Sequence, residues 1–227
     1  MTPFDEFESS RVALADGVRL FARRAGDGPP VLLLHGYPQT HLMWRFVAPR
    51  LAARFTVVAP DLKGYGASDA PAPAADASNY SKRAMAADCV ALMRALGHER
   101  FAVVGHDRGA RVAYRMAFDH PAVVTRLAVL DIIPTAAMWE AASKTSAVTG
   151  FHWGFLAQAG GLPERLIGAD PGWFARALIE RWTPNADRIG EPALAEYARA
   201  FSRPAVIAAT CADYRAGATL DDEHDRD

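Results

Sequence analysis

Three short apolar runs, each emptying into a glycine-containing loop, constrain this chain more than any other feature. They are VLLLHGYP (31–38), FTVVAPDLKGYG (55–66) and FAVVGHDRG (101–109). None alternates apolar with polar residues, so each reads as a strand covered on both faces, the pattern of a parallel sheet. A fourth run, LAVLD (Leu127 to Asp131), reads as a further strand. Helical spacing separates them. In YSKRAMAADCVALMRALG, Met85, Cys89, Leu92, Met93 and Leu96 share one face and Gly97 is the stop. HLMWRFVAPRLAARF places Leu42, Phe46, Val47 and Leu51 at helical spacing, and ARVAYRMAFDH follows the third strand. RVALA and VRLFA flank Asp16-Gly17 and predict a hairpin. The fold class is therefore α/β: a mostly parallel sheet with helices on both faces.

Beyond Pro134 no buried strand is expected. From about 135 to 215 the chain consists of short helical pieces rich in Trp and Phe. They are broken by Gly160-Gly161 and by Pro163, Pro171, Pro184, Pro192 and Pro204. This division predicts a core over 1–134, a helical cap over 135–215 and, over 216–227, a polar connection starting back toward the core. A chain of 227 residues with 51% hydrophobic and 22% charged residues can bury such a core. Its net charge of −1 gives no reason to expect nucleic acid or an anionic membrane as partner. Two cysteines, Cys89 and Cys211, are too few for a disulfide framework and lack metal-type spacing. The N-terminus MTPFDEFESS has no signal-peptide pattern and no stretch suits a membrane span, so a cytoplasmic protein is expected.

GHDRG (Gly105 to Gly109) has the form G-x-nucleophile-x-G between a buried strand and a helix. Its glycines permit a turn tight enough to push the Asp107 side chain into the open. HGYP (His35 to Pro38) and DLKGYGASD (Asp61 to Asp69) follow neighbouring strands, so the three loops converge at the carboxyl edge of the sheet, where open α/β sheets bind ligands. A carboxylate at the elbow needs no deprotonation at neutral pH and can attack an sp³ carbon, leaving an ester for water to hydrolyse. The backbone N–H groups of Tyr37 and Arg108 are candidate oxyanion donors, and Asp131 is the candidate acid that orients a base. Arg108 and Arg111 lie three apart at a helix start, where cations oppose the dipole unless an anion is near. A substrate carboxylate, held by charge-assisted and even bidentate bonds, would supply it. His152, Trp153 and Tyr214 are N–H or O–H donors suited to a departing halide. Taken singly, each has a plainer explanation as a packed or satisfied side chain.

HGYP, DLKGYGASD and GHDRG in this order resemble the α/β-hydrolase fold, in the branch that uses an Asp nucleophile. Relatives in that branch commonly carry Trp after the nucleophile; here the residue is Arg108. With GHDRGAR, LDIIP, HW and DYRAG together, the chain closely resembles fluoroacetate dehalogenases and their haloacetate-hydrolysing relatives. That resemblance implies Asp107 as nucleophile, Asp131 as triad acid, Arg108 and Arg111 on the carboxylate, and His152, Trp153 and Tyr214 on the halide. Trp182 would be an aromatic pocket wall. It implies conversion of short 2-haloacids to 2-hydroxyacids, with neither metal nor organic cofactor, by a protein that commonly forms homodimers.

The family also requires a His after the last strand, and no residue here fills that place; His224 lies in the polar segment after the cap. The expectation is a core lacking its C-terminal part, inactive or trapped as an ester, with an exposed sheet edge. Two alternatives remain. One is an epoxide hydrolase using Tyr214, with Tyr197 as a less convincing second phenol; the other is a non-catalytic binder of small carboxylates.

Overall fold

Asp16 and Gly17 reverse the chain between β1 (Glu8–Ala13) and β2 (Arg19–Ala25). Gly17 takes φ 86°, and the Asp16 carboxylate accepts a bond from Val18 N at 3.0 Å, so the hairpin forms where these two residues require it. The computed structural model describes residue 4 and residues 6–227. β3 (Pro30–Leu34), β4 (Thr56–Pro60), β5 (Phe101–His106) and β6 (Val124–Leu130) complete one six-stranded sheet in the order β1-β2-β4-β3-β5-β6. β2 runs antiparallel to β4, whereas β3, β4, β5 and β6 are mutually parallel.

The continuous apolar runs are buried on both faces. Leu32, Leu34 and Val58 point into one cluster with Met85, Met93, Val112 and Met116 from α2 (Lys82–Ala95) and α3 (Arg108–Asp119). Val31, Leu33, Val57 and Ala59 point to the other face, against Phe4, Phe7, Trp44 and Ala48. The segment HLMWRFVAPRLAARF is not one helix there. It divides into a 3-10 turn, His41–Trp44, and α1 (Ala48–Ala52), because Pro49 lacks an N–H and restricts the residue before it.

After β6 only helices follow: α4 (Thr135–Glu140), α5 (Lys144–Thr149), α6 (Phe151–Leu156), α7 (Leu162–Ala169), α8 (Pro171–Trp182), α9 (Glu191–Phe201), α10 (Pro204–Gly217) and α11 (Leu220–Arg226). Pro171 opens α8 and Asp170 caps it, accepting from Trp173 N at 3.1 Å. The boundary expected at residue 215 falls inside α10. The final segment, expected to be a polar connection, forms a helix. Asp221, Asp222 and Glu223 in its first turn offset the dipole, and its polar side chains have partners in the protein. Asp225 accepts from Thr135 N at 2.8 Å and Tyr114 OH at 2.7 Å, and Arg226 pairs with Glu140 at 2.5 Å. A polar sequence looked like a linker because its partners, in α3 and α4, are distant along the chain.

β6 is one of the two outer strands of the sheet, and Leu127, Val129 and Leu130 on it are each more than 40% exposed. No helix among the described residues is long and apolar enough to cross a membrane. Nor do they contain a group of three or more His, Cys, Asp or Glu side chains able to hold a metal.

Candidate active site

Asp107 stands at the turn between β5 and α3 with φ 51° and ψ −119°, a left-handed conformation that costs a non-glycine residue about 1–3 kcal/mol. The surroundings hold it there. Asp107 N donates to Leu130 O at 3.2 Å, and its carbonyl accepts from Ala110 N at 3.0 Å to start α3. Glycine at 36 lets the HGYP loop approach: a Cβ there would stand 2.5 Å from Asp107 Cβ. Tyr37 N, at a cis Tyr37–Pro38 bond, then donates to Asp107 Oδ1 at 2.8 Å. The loops are fastened to one another by His35, whose Nε2 accepts from Leu62 N at 3.0 Å, and by Asp61, which accepts from His41 N at 2.7 Å and from Ala67 N at 2.7 Å.

Above Asp107 lies a cavity of about 260 Å³ bordered by Tyr37, His106, Asp131, His152, Ile179 and Trp182. His152 packs 4.5 Å from Trp182 and 5.6 Å from Tyr214 between ring centroids; Tyr214 in turn meets Tyr37 at 5.2 Å and Trp153 at 5.3 Å. The structure thus joins the four aromatic residues singled out in α6, α8 and α10 with the elbow loop. Burial pushes the His152 pKa down to about 4, with Asp107 opposing and Arg108 assisting, so the imidazole is neutral near pH 7. Burial, reinforced by the Asp107 charge, pushes the Tyr214 phenol well above its ordinary value, so it remains a donor.

Both arginines reach this cluster. The Arg108 guanidinium lies 4.2 Å from the Tyr214 ring centre and 4.9 Å from that of Trp153, and the Arg111 guanidinium 4.5 Å from Trp153. Their hydrogen bonding differs from expectation. Arg108 is fully buried and its fork is already filled: Nε donates to Asp213 Oδ2 at 3.1 Å, and Nη2 to Asp213 Oδ1 at 2.5 Å and Asp213 O at 2.7 Å. With Nε and Nη2 engaged by Asp213, Arg108 is left with Nη1 and its two N–H groups for any ligand. Arg111 spends Nη1 on Ile133 O at 3.0 Å and Thr135 Oγ1 at 2.9 Å. The buried polar atoms here without a partner among the described residues include Arg108 Nη1, Arg111 Nε, His152 Nδ1 and Tyr214 OH, together with Tyr37 OH and His106 Nδ1 on the cavity wall.

Asp131 follows β6 with φ 58° and borders the same cavity, but its side chain is 91% exposed; its Oδ2 lies 3.9 Å from His106 Nε2. No histidine hydrogen-bonds Asp107 among the described residues. His224 belongs to α11, where its carbonyl accepts from Arg115 at 2.6 Å. Tyr197 does not pair with Tyr214: it packs with Ile179, Ala193 and Leu194, and its hydroxyl stands 3.5 Å from Arg45 Nη1. Asp213, the first residue of DYRAG, had no role assigned from the sequence. Its signal was present as a lone carboxylate inside an apolar helix, AVIAATCADY, where an unpaired charge would be untenable.

Comparison with known proteins agrees with this geometry. The family model for the alpha/beta hydrolase fold matches residues 29–186. A fluoroacetate dehalogenase from Burkholderia sp. is 49% identical over 223 residues, covering 98% of this chain and 73% of that protein. A soluble epoxide hydrolase from Corynebacterium sp. (strain C12) is 35% identical over 219 residues, covering 93% of this chain and 73% of its own. The crystal structure of ALR0039 from Nostoc sp. PCC 7120 superposes with a TM-score of 0.96 at 53% identity, covering 98% of this chain and 76% of that one. The chain therefore belongs to the alpha/beta hydrolase fold family and is a hydrolase of that fold.

Proposed function

We propose that this hydrolase acts on the carbon–halogen bond of short 2-haloacids through an ester on Asp107. The observation that carries the reading is the set of unpartnered buried donors beside that carboxylate: Arg108 Nη1, Arg111 Nε, His152 Nδ1 and Tyr214 OH. Leaving a buried polar group unsatisfied costs about 1–3 kcal/mol, so four together favour a site that anions complete. Two of the donors are cationic and suit a carboxylate; two are neutral and, with the Trp153 indole, suit a halide. In this scheme an Asp107 oxygen attacks C2 in line, the C–X bond breaks, and the halide departs with the bonding pair. Tyr37 N, already on Oδ1, and Arg108 N would stabilise the oxyanion when water later attacks the ester carbonyl. Water's oxygen stays on Asp107, and the 2-hydroxyacid leaves with the original carboxylate oxygen.

Hydrolysis needs a base, and among the described residues no histidine hydrogen-bonds the Asp107 carboxylate, while His106 Nε2 stands 3.9 Å from Asp131 Oδ2. The ester is accordingly expected to accumulate. Incubation with chloroacetate should release halide in a burst stoichiometric with protein and add one carboxymethyl group to the peptide containing Asp107; Asp107→Asn should abolish both. Chloride release that survives Asp107→Asn would refute the scheme.

The epoxide hydrolase reading rests on Tyr214, whose buried hydroxyl could protonate a ring oxygen. It is weakened by the separate packing of Tyr197 and by two cations facing a neutral substrate. Diol from styrene oxide without halide from chloroacetate would favour it. The non-catalytic alternative predicts carboxylate binding that survives Asp107→Asn, with no halide release.

A further inference from the structure

We infer that Asp213 is a positioning residue that converts Arg108 from a free fork into a single aimed donor, and so sets the preference of the site for anionic substrates. This rests on the haloacid reading above. A guanidinium has five N–H groups; Asp213 takes the one on Nε and the two on Nη2, leaving the two on the single atom Nη1 without a partner. Packing removes the remaining freedom. The Tyr214 and Trp153 rings lie against the guanidinium, and glycine at 217 closes the end, where a Cβ would stand 3.1 Å from Nη2.

Asp213 is itself fixed. Tyr65 OH donates to its Oδ2 at 2.6 Å, and Lys82 Nζ, from the first turn of α2, pairs with its Oδ1. Both residues are buried, as is Asp221 of α11, whose Oδ1 accepts from Lys82 N at 2.7 Å. The buried charges balance in pairs: Arg108 and Lys82 both meet Asp213 Oδ1, and Lys82 Nζ also lies 3.5 Å from Asp221 Oδ2. The site then grips a carboxylate by one bond from Arg108 and one from Arg111 Nε. Two aimed donors on separate side chains fix orientation, and small displacements of either weaken the grip steeply.

The test compares Asp107 alkylation by chloroacetate and by neutral chloroacetamide in the full chain, in Asp213→Asn and in Tyr65→Phe, with thermal stability followed in parallel. Asp213→Asn is expected to lower the chloroacetate-to-chloroacetamide rate ratio about tenfold or more, the loss of one aligned charge-assisted bond. Tyr65→Phe, which removes one bond to Asp213 and leaves the ion pairs, should lower the ratio severalfold. If Asp213→Asn does not fold, Tyr65→Phe carries the test. Equal losses with both reagents, the ratio unchanged, would mean that Asp213 only holds the fold, and would overturn the inference. If neither reagent alkylates the unsubstituted chain, the haloacid reading fails by itself. Acetate binding by calorimetry then decides: weakening about tenfold in Asp213→Asn upholds the positioning role, and unchanged or absent acetate binding overturns it.

Discussion

Replacing His152 by Gln should change acid stability and chemistry in opposite directions. The imidazole is buried among Tyr37, Trp182 and Tyr214, with Asp107 and Arg108 as the charged groups that bear on it, and its pKa is held at about 4 against an ordinary 6.5. Between these values the unfolded chain binds a proton that the folded chain refuses. Stability therefore falls as pH drops below about 6.5 and stops falling from this source below about 4. With a tenfold difference in proton affinity worth about 1.4 kcal/mol, His152 costs the fold about 2 kcal/mol at pH 5 and almost nothing at pH 7.5. His35, also lowered by burial, adds a slope of the same sign but is common to both proteins. Urea unfolding at pH 7.5 and pH 5 should show the unsubstituted chain losing about 2 kcal/mol more than His152→Gln. The burst of halide from chloroacetate should meanwhile slow about 100-fold, the usual effect of removing one donor from a developing anion. The same loss of stability in both proteins between the two pH values would refute the assignment of a buried neutral imidazole.

Three further outcomes follow from the packing. Gly36→Ala places a methyl 2.5 Å from Asp107 Cβ, so it should destabilise by about 1–3 kcal/mol and displace the Tyr37 N donor; thermal melts and the alkylation rate check this. Asp225→Ala removes the acceptor for Thr135 N, Ala136 N and Tyr114 OH and should cost about 1–2 kcal/mol, read in urea. Val129→Lys, on the exposed outer strand, should reduce concentration-dependent self-association measured by light scattering, since charge on an edge strand opposes edge pairing.

The sequence determined the elements whose causes are local. Continuous apolar runs must be buried on both faces, so β3, β4 and β5 were legible, as was the hairpin at Asp16-Gly17. GHDRG dictated a strand–turn–helix with Asp107 at a conformation that glycine neighbours allow. The convergence of His152, Trp153, Trp182 and Tyr214 could be expected only through family resemblance, because three separate helices carry them. Tertiary structure alone decided how the arginines are used. Arg108 and Arg111 look equivalent in GHDRGAR, three residues apart on one face. Yet one is clamped by Asp213, 105 residues away, and the other by Ile133 O and Thr135. The polar tail DDEHDRD likewise became a helix only because Tyr114, Thr135 and Glu140 meet it. Local pattern fixes which backbone forms. The partner of a buried charge is set by distance in space, which sequence separation does not encode.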